Sequence, residues 1–284
     1  MAFVSPSGLT EEATERSVEI DGMRVVYHDV GEGPPALFLH SHGPGTTAWI
    51  TWHKVVDEFA KHFRCILYDM PNFTKTGPMV YEDGSHAVQA RVGTRLLDAL
   101  GIERCPWVGN SQGGQSALSA AIRHPERVSR FVLGGSHIAT GGDIYLLATR
   151  PDEAGYFTEL ARRDPTRENV RLYLSRHIYD QVLVTDELVD YVRERYLSRP
   201  DLVEARNASK SVPHDYRPQV PGVRAPAMMV HGRHDKMVPL EVSITLLSLL
   251  PDARLVVFND TAHWTPFENP REYAQHVLPF LLDG

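Results

Sequence analysis

The chain has 284 residues, 42% hydrophobic and 23% charged, which suits a globular protein with one large domain or a domain carrying an insertion. A formal net charge of −7 with no basic stripe argues against a nucleic-acid partner, since nothing is placed to neutralise phosphates. Cys65 and Cys105 each lie in or beside an apolar run and read as packing thiols of a reducing compartment, not as a disulfide framework.

The first segment, Met1 to Arg16, is polar and lacks the apolar core of a signal peptide, and no run of about 20 apolar residues could span a membrane. No membrane partner and a cytoplasmic location are therefore expected. Ser17 to Ile20 and Met23 to Asp29 alternate around Asp21-Gly22, predicting a tight hairpin. Ala36 to Leu39, Arg64 to Asp69, Trp107-Val108 and Arg130 to Leu133 are short apolar runs, the pattern of strands buried on both faces of a parallel sheet. Helical segments separate them at Trp49 to Lys61, Ser85 to Leu100 and Gln115 to Arg123, with Leu96, Leu97 and Leu100 forming an apolar face on the second. From about His137 to Asp215 no buried strand is predicted, and helical periods run over Val170 to Ile178 and Asp186 to Leu197. After the Pro-rich connector Pro213 to Pro226 come a strand (Ala227 to His231), a helix (Leu240 to Leu250), a strand (Ala253 to Phe258) and a closing helix (Arg271 to Leu282). The alternation predicts an α/β fold with a mostly parallel central sheet flanked by helices. Residues 1–136 and 216–284 form its core, and 137–215 a helical cap inserted after the sixth strand.

Gly109-Asn110-Ser111-Gln112-Gly113 sits between an apolar run and a helical one. That is the context of a nucleophile elbow: a strained strand-to-helix turn exposes the serine hydroxyl, and small flanking residues let strand and helix pass closely. A serine needs a base to take its proton, and the base needs an orienting acid. Asp235 follows the strand ending at His231, and His263 follows the strand ending at Phe258, so both lie on loops at the sheet edge of Ser111. The chain order Ser, Asp, His is that of α/β-hydrolases. The backbone N–H of Gln112 and that of His42, in the loop His40-Ser41-His42-Gly43-Pro44-Gly45, are the expected oxyanion donors. His231-x-x-His234-Asp235 and His40-x-His42 also have metal-ligand spacings, but no further cluster completes a site, and no metal is expected.

With these motifs in view, the chain resembles the meta-cleavage-product hydrolases, α/β-hydrolases that break a carbon–carbon bond in ring-fission products of aromatic degradation. The resemblance runs from about Val25 to the C-terminus. It is carried by His40 to Gly45, Asp69 to Lys75, Gly109 to Gly114, Tyr179-Asp180-Gln181 with Val184 to Leu188, Gly232 to Leu240, and His263-Trp264. It implies a 2-hydroxy-6-oxo-hexa-2,4-dienoate substrate, ketonisation of the dienol, and addition of Ser111 or of water activated through His263 to the remote carbonyl. It implies no cofactor, and it places Gly43, Asn110, Met237 and Trp264 at the substrate under a helical lid. A homodimer or higher homo-oligomer acting on a small molecule is expected.

Four departures stand out. An arginine that in the family helps hold the substrate carboxylate falls at Val192, and the adjacent Arg193 is turned about 100° around a helix. His42 replaces a glycine or serine, and Gln112 an apolar residue; lid residues Tyr145 to Gly155 are unusually polar. Carboxylate recognition by Arg193 or another cap arginine is one expectation from Val192. A carboxylesterase, lactonase or amide hydrolase using the same triad is the rival reading. A non-catalytic binding relative would not need the triad, and a dehalogenase or epoxide hydrolase would carry aspartate where this chain has Ser111.

Overall fold

A computed structural model describes residues 3–138, 151–210, 212 and 215–283, and for 151–154 the backbone only. A short helix, α1 (Glu11–Thr14), leads into the hairpin of β1 (Glu15–Ile20) and β2 (Met23–Val30), where Ile20 pairs with Met23. Asp21 and Gly22 both take positive φ, 50° and 76°, as a two-residue turn that follows the strand twist requires. Then come β3 (Pro35–Leu39), α2 (Ala48–Trp52), α3 (Val56–Ala60), β4 (Arg64–Tyr68) and α4 (Ser85–Ala99). The elbow region follows as β5 (Cys105–Asn110), α5 (Gln112–Arg123) and β6 (Val128–Gly134). Among the described residues four helices precede the next strand: α6 (Pro151–Arg163), α7 (Arg167–His177), α8 (Asp186–Leu197) and α9 (Pro200–Ala208). The chain closes with β7 (Ala227–Gly232), α10 (Leu240–Leu249), β8 (Ala253–Phe258), α11 (Thr265–Glu268) and α12 (Pro270–Leu282).

The eight strands form one sheet in the order β1-β2-β4-β3-β5-β6-β7-β8. The β1–β2 and β2–β4 pairs are antiparallel and the rest are parallel. Alternate residues of each strand feed opposite faces. Leu37, Leu39, Ile66 and Tyr68 join one buried cluster; Ala36, Phe38, Cys65 and Leu67 join the other. Burial on both sides is why these strands read as unbroken apolar runs. Leu96 and Leu97 are fully buried in the first cluster with Leu100 packed against it. Both cysteines are buried and unpaired, and burial pushes their thiols up, that of Cys105 to about 12.

Two helices depart from the sequence reading. The expected Trp49 to Lys61 helix breaks into α2 and α3, because the His53 ring reaches back to the Trp49 and Ile50 carbonyls and ends the first segment. The helix after the elbow begins at Gln112 instead of Gln115. Glycine disfavours helix, but a side chain at Gly113 would strike the Leu39 carbonyl, so packing overrides propensity there. Tyr145 to Arg150 of the polar lid segment, and Pro213 at the start of the connector, lie outside the described residues.

The cap helices are tied to the core by a third apolar cluster, in which Tyr173, Val189 and Val192 meet Ile50 and Trp264. A buried ionic knot reinforces it: Glu11 lies 2.6 Å from Lys75 and 2.7 Å from Arg195 of α8, and accepts from the Tyr191 hydroxyl at 3.1 Å. Among the described residues no helix is long and apolar enough to cross a membrane.

Candidate active site

β5 ends at Asn110, and Ser111 turns the chain into α5 with φ 54° and ψ −118°, a conformation that a non-glycine residue holds only under external constraint. The constraint is visible. The Ser111 N–H donates to the Gly134 carbonyl at 2.5 Å, and the Ser111 carbonyl accepts from the Ser136 hydroxyl at 2.8 Å. A Cβ at Gly109 would stand 2.2 Å from the Gly113 carbonyl carbon, so strand and helix cross where only glycine fits.

His263 and Asp235 come from the loops after β8 and β7. His263 Nδ1 donates to Asp235 Oδ2 at 2.8 Å, and Asp235 Oδ1 accepts the N–H groups of Met237 and Val238 at 2.8 and 2.9 Å. Burial raises the Asp235 carboxyl, but the His263 imidazole and these hydrogen bonds outweigh it and hold the group at about 2. The acid is thus fixed as a carboxylate that orients the imidazole. Two glycines allow the approach. A Cβ on Gly135, itself at φ 50°, would lie 2.7 Å from Asp235 Oδ2 and 3.2 Å from His263 Nδ1; one on Gly232 would lie 1.9 Å from the Ala262 carbonyl oxygen.

The loop of His263 is held on both flanks. Glu268 Oε1 accepts the N–H groups of Ala262 and Trp264, both at 3.1 Å, while its Oε2 accepts the N–H of cap residue Tyr179 at 2.6 Å. Burial pushes this carboxyl up to about 7 against the pull of those donors. The His263 N–H donates to the His177 carbonyl at 3.0 Å, and its own carbonyl accepts from Asn110 Nδ2 at 3.1 Å. Asn110 also bonds the Ser41 and Thr265 hydroxyls. It therefore ties the His40–Gly45 loop, the elbow and the His263 loop together.

In the His40–Gly45 loop, the Met70 N–H donates to His40 Nε2 at 3.0 Å, so Nδ1 carries the proton and donates to the Ser41 carbonyl at 2.7 Å. A Cβ at Gly43 would stand 2.0 Å from the Tyr173 hydroxyl, and one at Gly45 1.9 Å from the Val192 carbonyl oxygen. The loop thus lies directly beneath α7 and α8. Gln112, the first residue of α5, has an amide with no carbonyl one turn before it, the usual supply of oxyanion donors. Its side chain donates to Ser85 at 3.1 Å.

A cavity of about 140 Å³ collects these groups: Ser111, His263, His42, Gln112 and Met237 line it, with His137, Thr158 and His177 on its other walls. A larger groove of about 550 Å³, lined by Lys54, Asp57 and Arg271 among others, holds none of the triad. Asp235 stands behind His263. Asn110, Gly43 and Trp264, expected at the substrate, are not among the lining residues. Asn110 is fully buried in the hydrogen bonds above, Gly43 is covered by Tyr173, and Trp264 packs into the cap cluster. Within the His231-x-x-His234-Asp235 spacing the two histidines part. His231 is bonded to Ser243 and the Val238 carbonyl in the core, whereas the His234 ring stacks on Tyr179 at 4.3 Å.

Val192 is buried in the cap cluster, and Arg193 donates to the Pro165 carbonyl at 2.8 Å, within the cap. Arg162 of α6 does approach the site: its guanidinium contacts His42 Nε2. Burial, Arg162 and Arg206 together hold the His42 imidazole well below its usual range. Sequence reasoning missed Arg162, Gly135 and Glu268. The pair Gly134-Gly135 at a strand end was a signal for close approach; a helix arginine gave none.

This arrangement, a strained serine with an Asp-oriented histidine at the carboxyl edge of a parallel sheet, defines an α/β-hydrolase. A family model described as alpha/beta hydrolase fold matches residues 35–270, and the chain belongs to that family and is a hydrolase. Within the family its similarity runs to the hydrolases of meta-cleavage products. It is 38% identical over 282 residues to the 2-hydroxy-6-oxononadienedioate/2-hydroxy-6-oxononatrienedioate hydrolase of Burkholderia vietnamiensis, covering 96% of this chain and 97% of that protein. The enzyme of the same name from Paraburkholderia phymatum is 36% identical with the same coverage. A solved meta-cleavage product hydrolase from Pseudomonas fluorescens IP01, complexed with acetates, superposes with a TM-score of 0.80 at 29% identity, over 94% of this chain and 97% of that one.

Proposed function

We propose that this protein hydrolyses the carbon–carbon bond beside the remote ketone of a 2-hydroxy-6-oxo-hexa-2,4-dienoate-type ring-fission product, as the names of its relatives state for them. The observation that carries the reading is the single cavity in which Ser111, His263, His42 and Gln112 meet, beneath cap helices that can select a side group. Ketonisation of the dienol makes the departing carbon able to accept the electron pair. Ser111 Oγ, or a water activated through His263, adds to the ketone carbon, and the proton passes to His263 while Asp235 holds the imidazolium. The backbone N–H groups of His42 and Gln112 take up the oxyanion. Its collapse breaks the carbon–carbon bond, and the proton on His263 goes to the departing carbon. Water completes the cycle, giving a hydroxydienoate and a carboxylic acid. No residue of the sequence is assigned to a cofactor or metal, and the four helices α6 to α9 act as the lid. We place the enzyme in the cytoplasm as a homodimer or higher homo-oligomer.

A second reading, hydrolysis of an ester, lactone or amide by the same triad, is favoured by one observation: Val192 is apolar and buried where the family's carboxylate-binding arginine is expected. The test offers the purified protein coloured ring-fission products beside simple aryl esters. Fast loss of dienolate absorbance with slow ester cleavage is the expected result, and the reverse profile transfers the assignment to the second reading.

A further inference from the structure

His177, the last residue of α7, meets His263 twice. Its carbonyl accepts the His263 N–H at 3.0 Å, and its ring stands edge to face with the His263 ring, centroids 5.5 Å apart. The same residue lines the cavity that holds Ser111. A helix that only covered the cavity would pack as well with an apolar side chain at this point, and buried histidine is less common than buried leucine or phenylalanine.

The hydrogen bonds fix what this imidazole can do. Nδ1 lies 2.8 Å from the Tyr173 carbonyl, one turn back in α7, so Nδ1 carries the proton and donates it. Nε2 is then a bare acceptor. It makes no hydrogen bond among the described residues, yet it keeps contact with space that a water can enter. Burial, with His263 close by, pushes the imidazole down to about 3. At neutral pH it therefore accepts hydrogen bonds without taking up a proton. An acceptor in so enclosed a place costs free energy unless a donor joins it, so this wall favours a molecule that brings an O–H.

We infer that His177 is a positioning residue for the hydrolytic water, holding through Nε2 the proton that His263 does not remove. The inference rests on the reading of Ser111 and His263 above, but not on which bond is cleaved. In the water step the oxygen bonds to the acyl carbon, and one O–H proton passes to His263 Nε2. The bond from that carbon to Ser111 Oγ then breaks, and the proton on His263 goes to Oγ. The second proton leaves with the acid and is bonded to His177 until then. Where water adds to the ketone directly, the two contacts are the same. Water has two O–H groups for two nitrogen acceptors, whereas an alcohol has one and spends it on His263.

Methanol, with its single O–H, tests the match. A ring-fission substrate and an aryl ester are each turned over in dilute methanol, and the early ratio of acid to methyl ester is measured. Wild type is compared with His177→Phe, which keeps a ring without the acceptor, and with His177→Gln, which keeps an acceptor without the ring; melting temperatures are checked first. The ratio should fall by about tenfold in His177→Phe, the loss of one hydrogen bond, and recover in part in His177→Gln. A role confined to packing predicts the opposite order, because Phe preserves the shape better than Gln. If His177→Phe melts early, His177→Leu takes its place with the same expectation. An unchanged ratio in the folded apolar variant, or no recovery in folded His177→Gln, overturns the inference. If no dienolate is bleached but the ester gives the tenfold shift, the positioning role stands and the carbon–carbon reading falls. Turnover of neither substrate overturns both.

Discussion

The sheet edge and the cap build their halves of the site by different means. At the sheet edge, position is set by backbone. The Ser111 amide and carbonyl are both engaged, Asp235 is fixed by two main-chain N–H groups, and Gly109, Gly113, Gly135 and Gly232 stand where a Cβ would collide. In the cap, position is set by side chains on helix surfaces: Arg162 of α6 contacts His42 Nε2, whereas Val192 and Arg193 on α8 are committed to packing and to the Pro165 carbonyl. Backbone-held chemistry tolerates little change, while helix-borne recognition can move from one residue to another without disturbing the fold.

The comparison breaks most visibly at the nucleophile. Ser111→Ala should lower kcat by about 10⁴-fold or more with an unchanged melting temperature. Near-wild-type turnover of the ring-fission substrate would remove the serine from the mechanism. Asp235→Asn should cost about 10⁴-fold, because the His263 tautomer is no longer imposed; stopped-flow rates within tenfold of wild type would contradict the orienting role.

Val192→Arg sharpens the contrast from the cap side. A guanidinium forced into the cluster of Ile50, Tyr173 and Trp264 should destabilise the fold by roughly 3 kcal/mol or more instead of supplying a substrate contact. A denaturant midpoint equal to wild type would contradict the tight packing of that cluster. Gly135→Ala probes the backbone side. The added methyl presses on the Asp235–His263 pair, and a fall in kcat of about 100-fold is expected with little change in KM. A change confined to KM would place its effect in recognition.

The smallest effect is on pH stability, and it spans both regions. Burial holds His53 and His137 at about 4 and His177 at about 3, all below the ordinary 6.5. The unfolded chain therefore binds these protons more readily, and the stabilisation present above pH 6.5 is lost as pH falls toward 4. Glu268, raised to about 7, acts with the opposite sign: its contribution is full below about 4.5 and lost as pH rises through 7. With three groups against one, the melting temperature should drop by several degrees between pH 6.5 and pH 4; a flat or rising profile would contradict the buried neutral histidines.

The sequence by itself determined the class of the fold, the strand runs and the order Ser111, Asp235, His263, because these depend on local patterns: apolar runs for strands buried on two faces, and small residues around a tight turn. It also located the loop of His42 and the departure at Val192. Only the tertiary structure decided that Asn110 straps three loops together, that Gly135 makes room for the Asp235–His263 pair, and that Trp264 packs with the cap residues. It alone brought Arg162 of α6 against the His42 ring, 120 positions away in the sequence. The physical reason is reach. A strand or turn signal is complete within a few residues, whereas a helix arginine acquires meaning only from what its guanidinium meets at the end of a long, freely rotating chain.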